Sequence, residues 1–579
     1  MRRDRRPLFA PSRRLSPTGP SDEASEESYL LRKPGKPKSV SRREWALFIW
    51  AVLTTMIVII LSVVLQRLSA RSNDDAYKRH PRPGPAPYPK PEGKRNLIFM
   101  VSDGMGPASL SLTRSFRQYH GNLSIDDVLE LDKHFIGSSR TRSSSSLVTD
   151  SAAGATAFSC GQKSYNGAIS MLPDHTPCGT VLEAAKRAGY MTGLVVTTSI
   201  TDATPACFAS HVNLRLEEDL IAQQEVGEHP LGRVLDLMLG GGRCHFLPNS
   251  SVGSCRTDDR DITEVAQKNY GWHYIDSRKQ FDQLNNAKTP VKLPLMGLFA
   301  PTDLPYELDR RNMEDVYPSL DEMAQFALKT LQEATKYSDK GFFLMIEGSR
   351  IDHAGHCNDP AAQVHEVMAY DKAFFSVITF LDESDDQGVL IATSDHETGG
   401  LSTAKQLSAH YPQYLWHPKA LDRATASAEH LAKQLSTHRI SWPYETREEL
   451  REYLQGLVQK GLGVTDVKDS ELDKVIDEPI YAAWNLASII SARAQIGWST
   501  HGHSAVDVNI YGTTGSGNLS GNHENIEVGI FLRDYLNVDV DQITKELVDA
   551  SQLHNTTNGD TNWTGRIPSE EELAASMGY

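Results

Sequence analysis

The chain has 579 residues, of which 39% are hydrophobic and 23% charged, a balance typical of a folded protein rather than a disordered one. Its formal net charge is −15 at pH 7, and residues 45–579 contain no cluster of basic residues interleaved with aromatic residues. These features exclude a nucleic acid as the expected partner.

The first 44 residues have the composition of a solvated tail. They contain 12 basic and 6 acidic residues, several Pro and Ser residues, and no apolar periodicity. Within them, Glu26 precedes Leu30 and Leu31 with the spacing of an acidic dileucine sorting signal, a motif that sorting adaptors recognise. We therefore predict a cytosolic tail over residues 1–44 with a site for a sorting adaptor.

Residues 45–65 form an uncharged apolar run, WALFIWAVLTTMIVIILSVVL, which as a helix would cross about 30 Å of hydrocarbon. A cleaved signal peptide is the alternative, but the run is too long, starts too late and lacks a convincing small-residue cleavage site. Six basic residues lie in the 15 positions before the run and four in the 15 after it, which favours a cytosolic N-terminus. The run therefore predicts a single transmembrane helix, a type II signal anchor.

The region after the span has the features of a lumenal segment. A stem rich in Pro, Lys and Arg covers residues 66–95 and would hold the body away from the membrane. Glycosylation in a lumen requires Asn-x-Ser/Thr sequons on this side of the span. Five are present, at Asn122, Asn249, Asn518, Asn555 and Asn562. We therefore expect a glycoprotein.

All six cysteines also follow the span, on the side where disulfides persist. Cys244 and Cys255 bracket a short polar loop, CHFLPNSSVGSC, and are the first expected pair. Cys160 with Cys178 is the second. The two cysteines that we expect to be buried free thiols are Cys207 and Cys357.

From residue 96 onwards, short apolar runs alternate with helical patterns. Four runs have the length and flanks of buried strands: NLIFMVSDG, MTGLVVTTS, GFFLMIEGS and QGVLIATSD. Helical patterns between them include TVLEAAKRAG and LDEMAQFALKTLQEATKYS. This alternation predicts an α/β fold with a central, mostly parallel β-sheet sandwiched by helices.

The catalytic domain is placed at residues 96–550. From about 401 to 499 the pattern loosens, with helices such as ATASAEHLAKQLSTH, and we interpret this part as an inserted cap region. Residues 551–579 are polar and are predicted to form a C-terminal tail that is removed on maturation or retained; the sequence leaves both open.

Polar residues follow each of the four strands, and the reactive crevice of such a sheet lies outside the carboxyl ends of its strands. The residues expected to converge there are Asp103, Thr204, Glu347 and Asp395. The segment EGSRIDHAGH adds Asp352 and His356, which share one face if the chain turns helical after the strand. Their spacing suits a zinc-sized ion, and His353 then points elsewhere.

Two further segments offer metal ligands. TSDHETGG contributes Asp395 and His396, an oxygen and an imidazole ligand that together suit Zn²⁺. The alternative is a turn closed by an Asx hydrogen bond. THGHSAVD contributes His501 and His503, of which we prefer His503 because a strand-like run, VDVNIYG, follows it.

Ser151, in the segment LVTDSAAGATAFSCG, precedes a run of residues with very small side chains. At the start of a helix its oxygen would lie in the positive field of the N-terminus, which favours an alkoxide or a bound phosphate. The small residues 152–155 would let metal ligands and a phosphoryl group approach the backbone. The alternative is a Ser cap on a close-packed helix.

Taken together, these segments resemble the alkaline phosphatase family. VTDSAAGAT is similar to the family's nucleophile signature, and the other matching motifs stand in the family's order: SDGMG, DATPA, EGSRIDHAGH, SDHETGG and HGHSAVDVNIYG. The resemblance covers roughly residues 96–550. The N-terminal anchor and short tail look most like those of the fungal vacuolar members.

The resemblance implies a role for each matched residue. Ser151 would be the nucleophile that forms a phosphoserine intermediate, and Arg215 would clamp the phosphoryl group. Two zinc ions and one magnesium ion are implied. The implied ligands are Asp103, Asp395 and His396 for the zinc at the nucleophile, Asp352, His356 and His503 for the second zinc, and Asp103, Thr204 and Glu347 for magnesium.

The identity of the third metal is less clear from the resemblance. Bacterial members typically pair an Asp with a Lys beside this metal, and animal members pair two histidines. Here Asp202 matches the bacterial Asp and His353 matches the animal histidine. Asp202 is therefore included in the predicted metal-site residues, and the third metal stays open.

The resemblance implies a membrane-anchored phosphomonoesterase with a broad range of small substrates and an alkaline optimum. The family usually forms homodimers, and we expect the contact within residues 401–499. One alternative is phosphodiesterase or sulfatase chemistry on a related scaffold, which Arg215 and the signature around Ser151 disfavour. The other is a catalytically silent membrane glycoprotein, which the complete set of matched positions disfavours.

The cellular location follows from two features of the N-terminus. The dileucine motif and the resemblance to fungal vacuolar members favour the vacuole over the cell surface. We therefore predict a vacuole membrane protein whose catalytic domain lies in the lumen.

Overall fold

The computed structural model describes residues 42–43, 45–47, 49–58, 60–62, 93–557, 563–569 and 571–572. The predicted cytosolic tail, apart from residues 42–43, lies outside the described residues, and its dileucine motif with it. So do most of the predicted stem and the sequon at Asn562. The chain divides into two compact units, Met1–Gly84 and Pro85–Tyr579.

The first unit contains one helix, α1 (Trp45–Ser62), that is long and apolar enough to cross a membrane. It coincides with the first 18 residues of the predicted span. Its large side chains are exposed, among them Trp50 at 69% and Leu47 at 65%. Length and composition therefore agree with a membrane anchor over this segment.

The second unit is built on a ten-stranded β-sheet with the strand order β12-β2-β11-β8-β1-β7-β3-β4-β6-β5. A separate two-stranded ladder joins β9 and β10. The strands are β1 (Arg95–Val101), β2 (Phe135–Arg140), β3 (Met191–Ser199), β4 (Leu237–Gly241), β5 (His273–Ile275), β6 (Leu295–Leu298), β7 (Phe342–Glu347), β8 (Gln387–Thr393), β9 (Glu397–Thr398), β10 (His503–Ser504), β11 (Val508–Gly512) and β12 (Gly521–Glu524).

The central strands are parallel, and the prediction of a mostly parallel sheet is confirmed. Strand β1 pairs in parallel with β7 and β8, and β3 pairs in parallel with β7 and β4. Strand β11, which the sequence indicated after His503, runs antiparallel to both of its neighbours, β8 and β2. All seven residues of β1 are buried, as expected of a strand covered on both faces.

Helices cover both faces of the sheet. One apolar core includes residues of α4, α5, α6, α7 and α19, and another includes residues of α3, α11 and α13. The helices are α2 (Pro107–His120), α3 (Glu130–Lys133), α4 (Ser151–Cys160), α5 (Val181–Arg187), α6 (Ala203–Ala209), α7 (Glu218–Val226), α8 (Ile262–Tyr270), α9 (Arg278–Asn285), α10 (Glu307–Arg310), α11 (Leu320–Ala334), α12 (Arg350–Cys357), α13 (Pro360–Glu383), α14 (Pro418–Asp422), α15 (Ala428–Ser441), α16 (Arg447–Gly461), α17 (Asp469–Asp477), α18 (Ala482–Ala494), α19 (Asn525–Leu536) and α20 (Val540–Thr557).

The inserted helical region, residues 401–499, contains helices α14 to α18. Its apolar residues form a core of their own, together with Leu112 and Phe116 of α2 and Val364 of α13. Leu435 of α15 and Leu486 of α18 are buried in this core. The region therefore packs on helices of the main body.

The two disulfides expected from the sequence are present. Cys244 pairs with Cys255, and Cys160 pairs with Cys178. The two cysteines that remain free are both buried, as expected, and are Cys207 and Cys357.

The described residues near the C-terminus contact the main body. Helix α20 extends into the predicted C-terminal tail and ends at Thr557. The ring of Trp563 packs edge-on against the rings of His211 and His229. The backbone oxygen of Thr564 accepts a hydrogen bond from the backbone N–H of Asn213 at 3.0 Å.

Glu183 of α5 and His211, which follows α6, form a fully buried pair. The His211 ring directs Nδ1 at the backbone oxygen of Ser170 (3.1 Å) and Nε2 at Glu183 Oε1 (2.8 Å). Burial alone would raise the pKa of Glu183, but the facing His211 and His229 hold this pKa below its ordinary value.

We expect Glu183→Gln to lower the free energy of unfolding by about 3–5 kcal/mol, because it removes the carboxylate from a fully buried pair. Since folding lowers the pKa of Glu183, its stabilisation is present above an unfolded pKa of about 4.5 and is lost as the pH falls through the folded value. Urea unfolding at several pH values measures both effects. The control is Glu264→Gln, which removes an exposed partner of Lys268. Equal effects of the two substitutions would contradict this assignment.

Candidate active site

The carboxyl ends of four neighbouring strands bring the expected polar residues to one edge of the sheet. Asp103 lies two residues after β1, Asp395 two residues after β8, and Glu347 is the last residue of β7. Thr204 is the second residue of α6, which follows β3. All four residues are buried. The strand order β8-β1-β7-β3 is the reason for this convergence, because each of these strands is adjacent to the next.

Asp103, Asp395 and His396 form one cluster of possible metal ligands, with ligand atoms that all lie within 4.8 Å of one another. His396 Nε2 is 3.6 Å from Asp103 Oδ1 and 3.2 Å from Asp395 Oδ2. Both carboxylate oxygens are buried and have no hydrogen-bond partner among the described residues. Unpaired buried carboxylate oxygens are costly unless a cation compensates them.

A second cluster lies directly beside the first and shares His396 with it. Its ligand atoms come from Asp352, His396 and His503. His356 completes the group, because its Nε2 is 3.2 Å from Asp352 Oδ2 and 3.1 Å from His503 Nε2. Asp352 and His356 lie four residues apart on α12, in the helical arrangement expected from their spacing.

The ladder of β9 and β10 brings His503 to this cluster from a distant part of the chain. Register places His503 opposite Thr398, two residues after His396, and the His396 and His503 rings stack with centroids 3.5 Å apart. His503 Nδ1 faces the backbone oxygen of Thr149 at 2.8 Å, which leaves Nε2 as the ligand nitrogen. The neighbouring His501 instead stacks on Trp484.

Ser151 is the first residue of α4, and its side chain reaches the first cluster. Ser151 Oγ is 3.0 Å from His396 Nε2. Asp150, rather than Ser151, caps the helix, and its carboxylate accepts the backbone N–H of Ala153 at 3.0 Å. The serine hydroxyl is therefore not used as a cap, and it stands in the positive field of the helix N-terminus.

Two glycines let backbone segments lie close to the expected metal-ligand residues, and one of them, Gly154, belongs to the run of small residues after Ser151. A Cβ added at Gly154 would stand 2.9 Å from Asp395 Cβ. A Cβ at Gly104, where φ is +74°, would stand 2.6 Å from the Cα of Asp352. At both places the lack of a side chain lets a backbone segment lie against a ligand residue.

Arg215 extends into the same crevice and is held by two carboxylates. Its Nη2 donates to Asp202 Oδ1 at 2.9 Å, and its Nη1 donates to Asp150 Oδ2 at 3.4 Å. Asp150 therefore holds both the start of the helix that carries Ser151 and the guanidinium. The fork geometry of arginine suits two oxygens of a phosphoryl group.

The residues expected at the third metal site meet near the end of β7. Glu347 accepts a hydrogen bond from Ser349 Oγ at 2.6 Å, and the Thr204 hydroxyl faces its carboxylate. Asp202 lies close enough to act electrostatically on Glu347, yet its Oδ1 is engaged with Arg215. His353 points away from both clusters and pairs with Asp303 at 3.4 Å.

The electrostatics of the two clusters favour a bound cation. Burial, together with neighbouring carboxylates, raises the pKa of Asp103 and brings the pKa of Asp395 to about 7. Burial likewise raises the pKa of Glu347 to about 8, and burial with His503 lowers the pKa of His396. Crowded carboxylates beside a neutral imidazole are the donor set that a divalent cation stabilises. The residues present therefore fit bound metal ions.

Comparison with known proteins agrees with this geometry. A family model described as alkaline phosphatase matches residues 94–538. The chain belongs to the alkaline phosphatase family. Its sequence is 54% identical to the repressible alkaline phosphatase of Saccharomyces cerevisiae over 476 residues, which are 78% of this chain and 83% of the yeast protein. It is 46% identical to an alkaline phosphatase of Schizosaccharomyces pombe over 537 residues, 91% of this chain and 94% of that protein.

Solved alkaline phosphatases share the fold. The enzyme of Thermus thermophilus aligns with a TM-score of 0.66 at 27% identity, covering 81% of this chain and 99% of that one. The cold-active enzyme of a Shewanella species aligns with a TM-score of 0.61 at 30% identity, covering 76% of this chain and 99% of that one. The family, the fold class and the assignment as a phosphatase enzyme, all expected from the motifs, are confirmed.

Two supporting residues of this phosphatase were missed by reading its sequence. Thr398 Oγ1 donates a hydrogen bond to Asp352 and lies 3.2 Å from His396 Nδ1, so it orients one ligand of the second cluster and the histidine that both clusters share. Asp150, which holds Arg215, was missed as well. Asp150 stands next to Ser151 in the nucleophile signature, and an Asp before a helix is a cap signal. No comparable local signal points to Thr398.

Proposed function

We propose that this alkaline phosphatase hydrolyses phosphate monoesters through a phosphoserine at Ser151, at a site with two zinc ions and one magnesium ion. The observation that carries the proposal is the position of Ser151 Oγ, 3.0 Å from the histidine that the two ligand clusters share. It also lies at the N-terminus of a buried helix, where negative charge is favoured.

Three sets of residues would hold the ions. When bound, the two zinc ions would supply positive charge beside the attacking and leaving oxygens. The sets are Asp103, Asp395 and His396 for the zinc at Ser151, Asp352, His356 and His503 for the second zinc, and Asp103, Thr204 and Glu347, with Asp202 nearby, for magnesium.

The chain's own residues account for substrate orientation and covalent chemistry. Arg215 binds two phosphoryl oxygens and turns the ester oxygen away from Ser151. Ser151 Oγ attacks phosphorus, the new Oγ–P bond replaces the P–O bond to the alcohol, and the alcohol leaves. Water then cleaves the Oγ–P bond, which releases inorganic phosphate and restores the serine. The small residues after Ser151 leave room for the phosphoryl group.

Trapping of the intermediate tests this proposal. The full-length protein in detergent is incubated with p-nitrophenyl phosphate, quenched in acid and digested, and the peptides are analysed by mass spectrometry. We expect phosphate on Ser151, and metal analysis is expected to find two zinc ions and one magnesium ion per chain. Phosphate on another residue, or turnover that persists after complete removal of zinc, would contradict the proposal.

Arg215→Ala is expected to lower kcat/KM for p-nitrophenyl phosphate by about 100-fold, because two charge-assisted hydrogen bonds to the phosphoryl group are lost. Inhibition by inorganic phosphate should weaken in parallel. Arg215→Lys should retain more of the parental kcat/KM than Arg215→Ala. The control is Arg278→Ala, which removes a guanidinium that hydrogen-bonds to Glu322 and Asp282 rather than to residues of the site. Unchanged phosphate inhibition in Arg215→Ala would exclude Arg215 as the clamp.

We also propose that α1 anchors the protein in the vacuole membrane with its catalytic domain in the lumen, and that two copies associate through residues 401–499. The apolar helix, the basic residues before it and the dileucine motif support the location. Changing Leu30 and Leu31 to Ala should move the protein to the cell surface. Unchanged vacuolar location would rule out this signal, and sedimentation of the purified protein as a monomer would rule out the dimer.

A further inference from the structure

A cavity of about 350 Å³ lies beside the second ligand cluster, at the inserted helical region. We call it the aromatic cavity. Its wall includes a set of aromatic and polar side chains, namely Trp484, Tyr481, His501, Asn358, Lys405 and Lys474. The Trp484 side chain is 39% exposed and that of Tyr481 is 46% exposed, so both rings are accessible from solvent.

The aromatic cavity is connected to the active site through His501. His501 Nδ1 is 2.8 Å from the backbone oxygen of His356, and His356 Nδ1 in turn meets the backbone oxygen of His501. The His501 ring stacks on Trp484 with centroids 4.0 Å apart and planes 10° apart. The wall of the cavity is therefore fixed relative to the ligand cluster.

The expected position of the leaving alcohol is also on the side of this cavity. Side chains form a row from Ser151 Oγ through His396 and His503 to His356. Exposure of their side chains rises along the row, from 0% at His396 to 12% at His503 and 38% at His356. In an in-line displacement the leaving oxygen lies opposite the attacking oxygen. We therefore expect the alcohol part of the substrate to lie at the more exposed end of the row, at His356, which adjoins the aromatic cavity through His501.

The chemistry of the wall defines what it would bind. Aromatic side chains favour a planar ring as the ligand. Because Trp484 already stacks on His501 and lies 5.1 Å from Tyr481 between centroids, such a ring would contact the exposed edges of this aromatic group. Lys405 and Lys474 place two positive charges at the cavity, and Glu478 places one negative charge, whose carboxylate accepts a hydrogen bond from Asn485. The balance is one net positive charge, which favours an anionic group on the ligand.

We propose that the aromatic cavity binds the leaving alcohol of a phosphate monoester that carries a planar aromatic ring and a further anionic group, as a nucleoside bisphosphate does. The proposal rests on the monoesterase function proposed above and adds a determinant of substrate preference to it. A substrate whose alcohol is small and aliphatic leaves the cavity empty and gains nothing from it.

Trp484→Ala tests the aromatic part of the proposal in the full-length holoenzyme. The readout is the ratio of kcat/KM for adenosine 5′-monophosphate to kcat/KM for glycerol 3-phosphate. We expect this ratio to fall by about 10-fold, as expected for loss of one ring contact, and Trp484→Phe to retain most of it. The matched control is Trp442→Ala, because Trp442 is also in the inserted helical region, is 65% exposed and does not line the cavity.

Two further readouts distinguish binding of the alcohol in the aromatic cavity from an indirect effect of Trp484 on the position of His356. Adenosine should inhibit hydrolysis of p-nitrophenyl phosphate less strongly in Trp484→Ala than in the parent, while the zinc content of the two proteins is the same. An unchanged ratio of the two kcat/KM values would overturn the proposal, whether Trp484→Ala keeps its zinc or loses it. If the parent enzyme hydrolyses neither substrate, the monoesterase function fails instead.

Lys474→Gln tests the anionic part. The expected result is a fall of about 3-fold in kcat/KM for adenosine 3′,5′-bisphosphate relative to adenosine 5′-monophosphate at low salt, and a smaller fall at high salt, because exposed charges are screened. Lys460→Gln, a change in α16 outside the cavity wall, is the control. Equal effects on the two substrates would show that the lysine does not recognise a second anionic group.

Discussion

Ser151→Ala is expected to lower kcat for p-nitrophenyl phosphate by about 10³-fold or more, while the protein stays folded and keeps its zinc. The hydroxyl lies 3.0 Å from His396 Nε2, and its loss removes the proposed covalent intermediate and leaves only direct attack by water. Since Asp150 and not Ser151 caps the helix, the substitution costs no capping hydrogen bond. Steady-state kinetics and metal analysis of the full-length protein measure both quantities.

The control is Ser159→Ala, the same change near the other end of the same buried helix. Ser159 lies away from the ligand clusters and contacts Ser170 Oγ at 3.3 Å. We expect nearly parental kcat for this variant. Activity of Ser151→Ala within 10-fold of the parent would exclude the serine as nucleophile. Zinc binding by the parent without monoester hydrolysis would favour diesterase chemistry or a silent glycoprotein.

Gly154→Ala should lower zinc affinity and kcat/KM by about 10- to 100-fold, the range found when support of a metal ligand is disturbed. The added Cβ would stand 2.9 Å from Asp395 Cβ, closer than such atoms normally approach, and the nearby Asp395 backbone limits its retreat. Helix propensity acts in the opposite direction, because Ala in a helix is about 1 kcal/mol more favourable than Gly. Zinc titration and thermal unfolding distinguish the two effects.

Gly456→Ala makes the same change in another helix, α16, where no atom lies within 4 Å of the added Cβ. This variant should gain stability and keep its zinc affinity and activity. If Gly154→Ala also retained parental zinc affinity, the close approach of α4 to Asp395 would have no part in shaping the metal site.

Much of the fold followed from local sequence patterns. The runs that became β1, β3, β7 and β8 are apolar and flanked by polar turns, and strands of this kind are specified by composition over a few residues. The helix predicted at LDEMAQFALKTLQEATKYS is α11, whose Ser319 caps it with a capping box. The pairing of Cys244 with Cys255 was also predictable, because the loop between them is short.

The site was predictable only in part. Asp352 and His356 could be assigned together because helical spacing alone places them on one face. The role of Thr398 could not be assigned, because a lone threonine in a turn carries no local signal. The position of Asp202 was predicted beside a third metal, but its contact with Arg215 depends on how α6 and the following loop fold back.

Local sequence patterns were enough to identify the apolar span, the strands and helices, the small residues at α4 and the motifs of the family, because each depends on residues close together along the chain. Three relations became visible only in the folded protein. His396 belongs to both ligand clusters, Asp150 contacts both the start of the Ser151 helix and Arg215, and an aromatic cavity lies near His356. These relations join segments as far apart as α4, β9 and α18. Register and packing set them, and a one-dimensional pattern does not encode either.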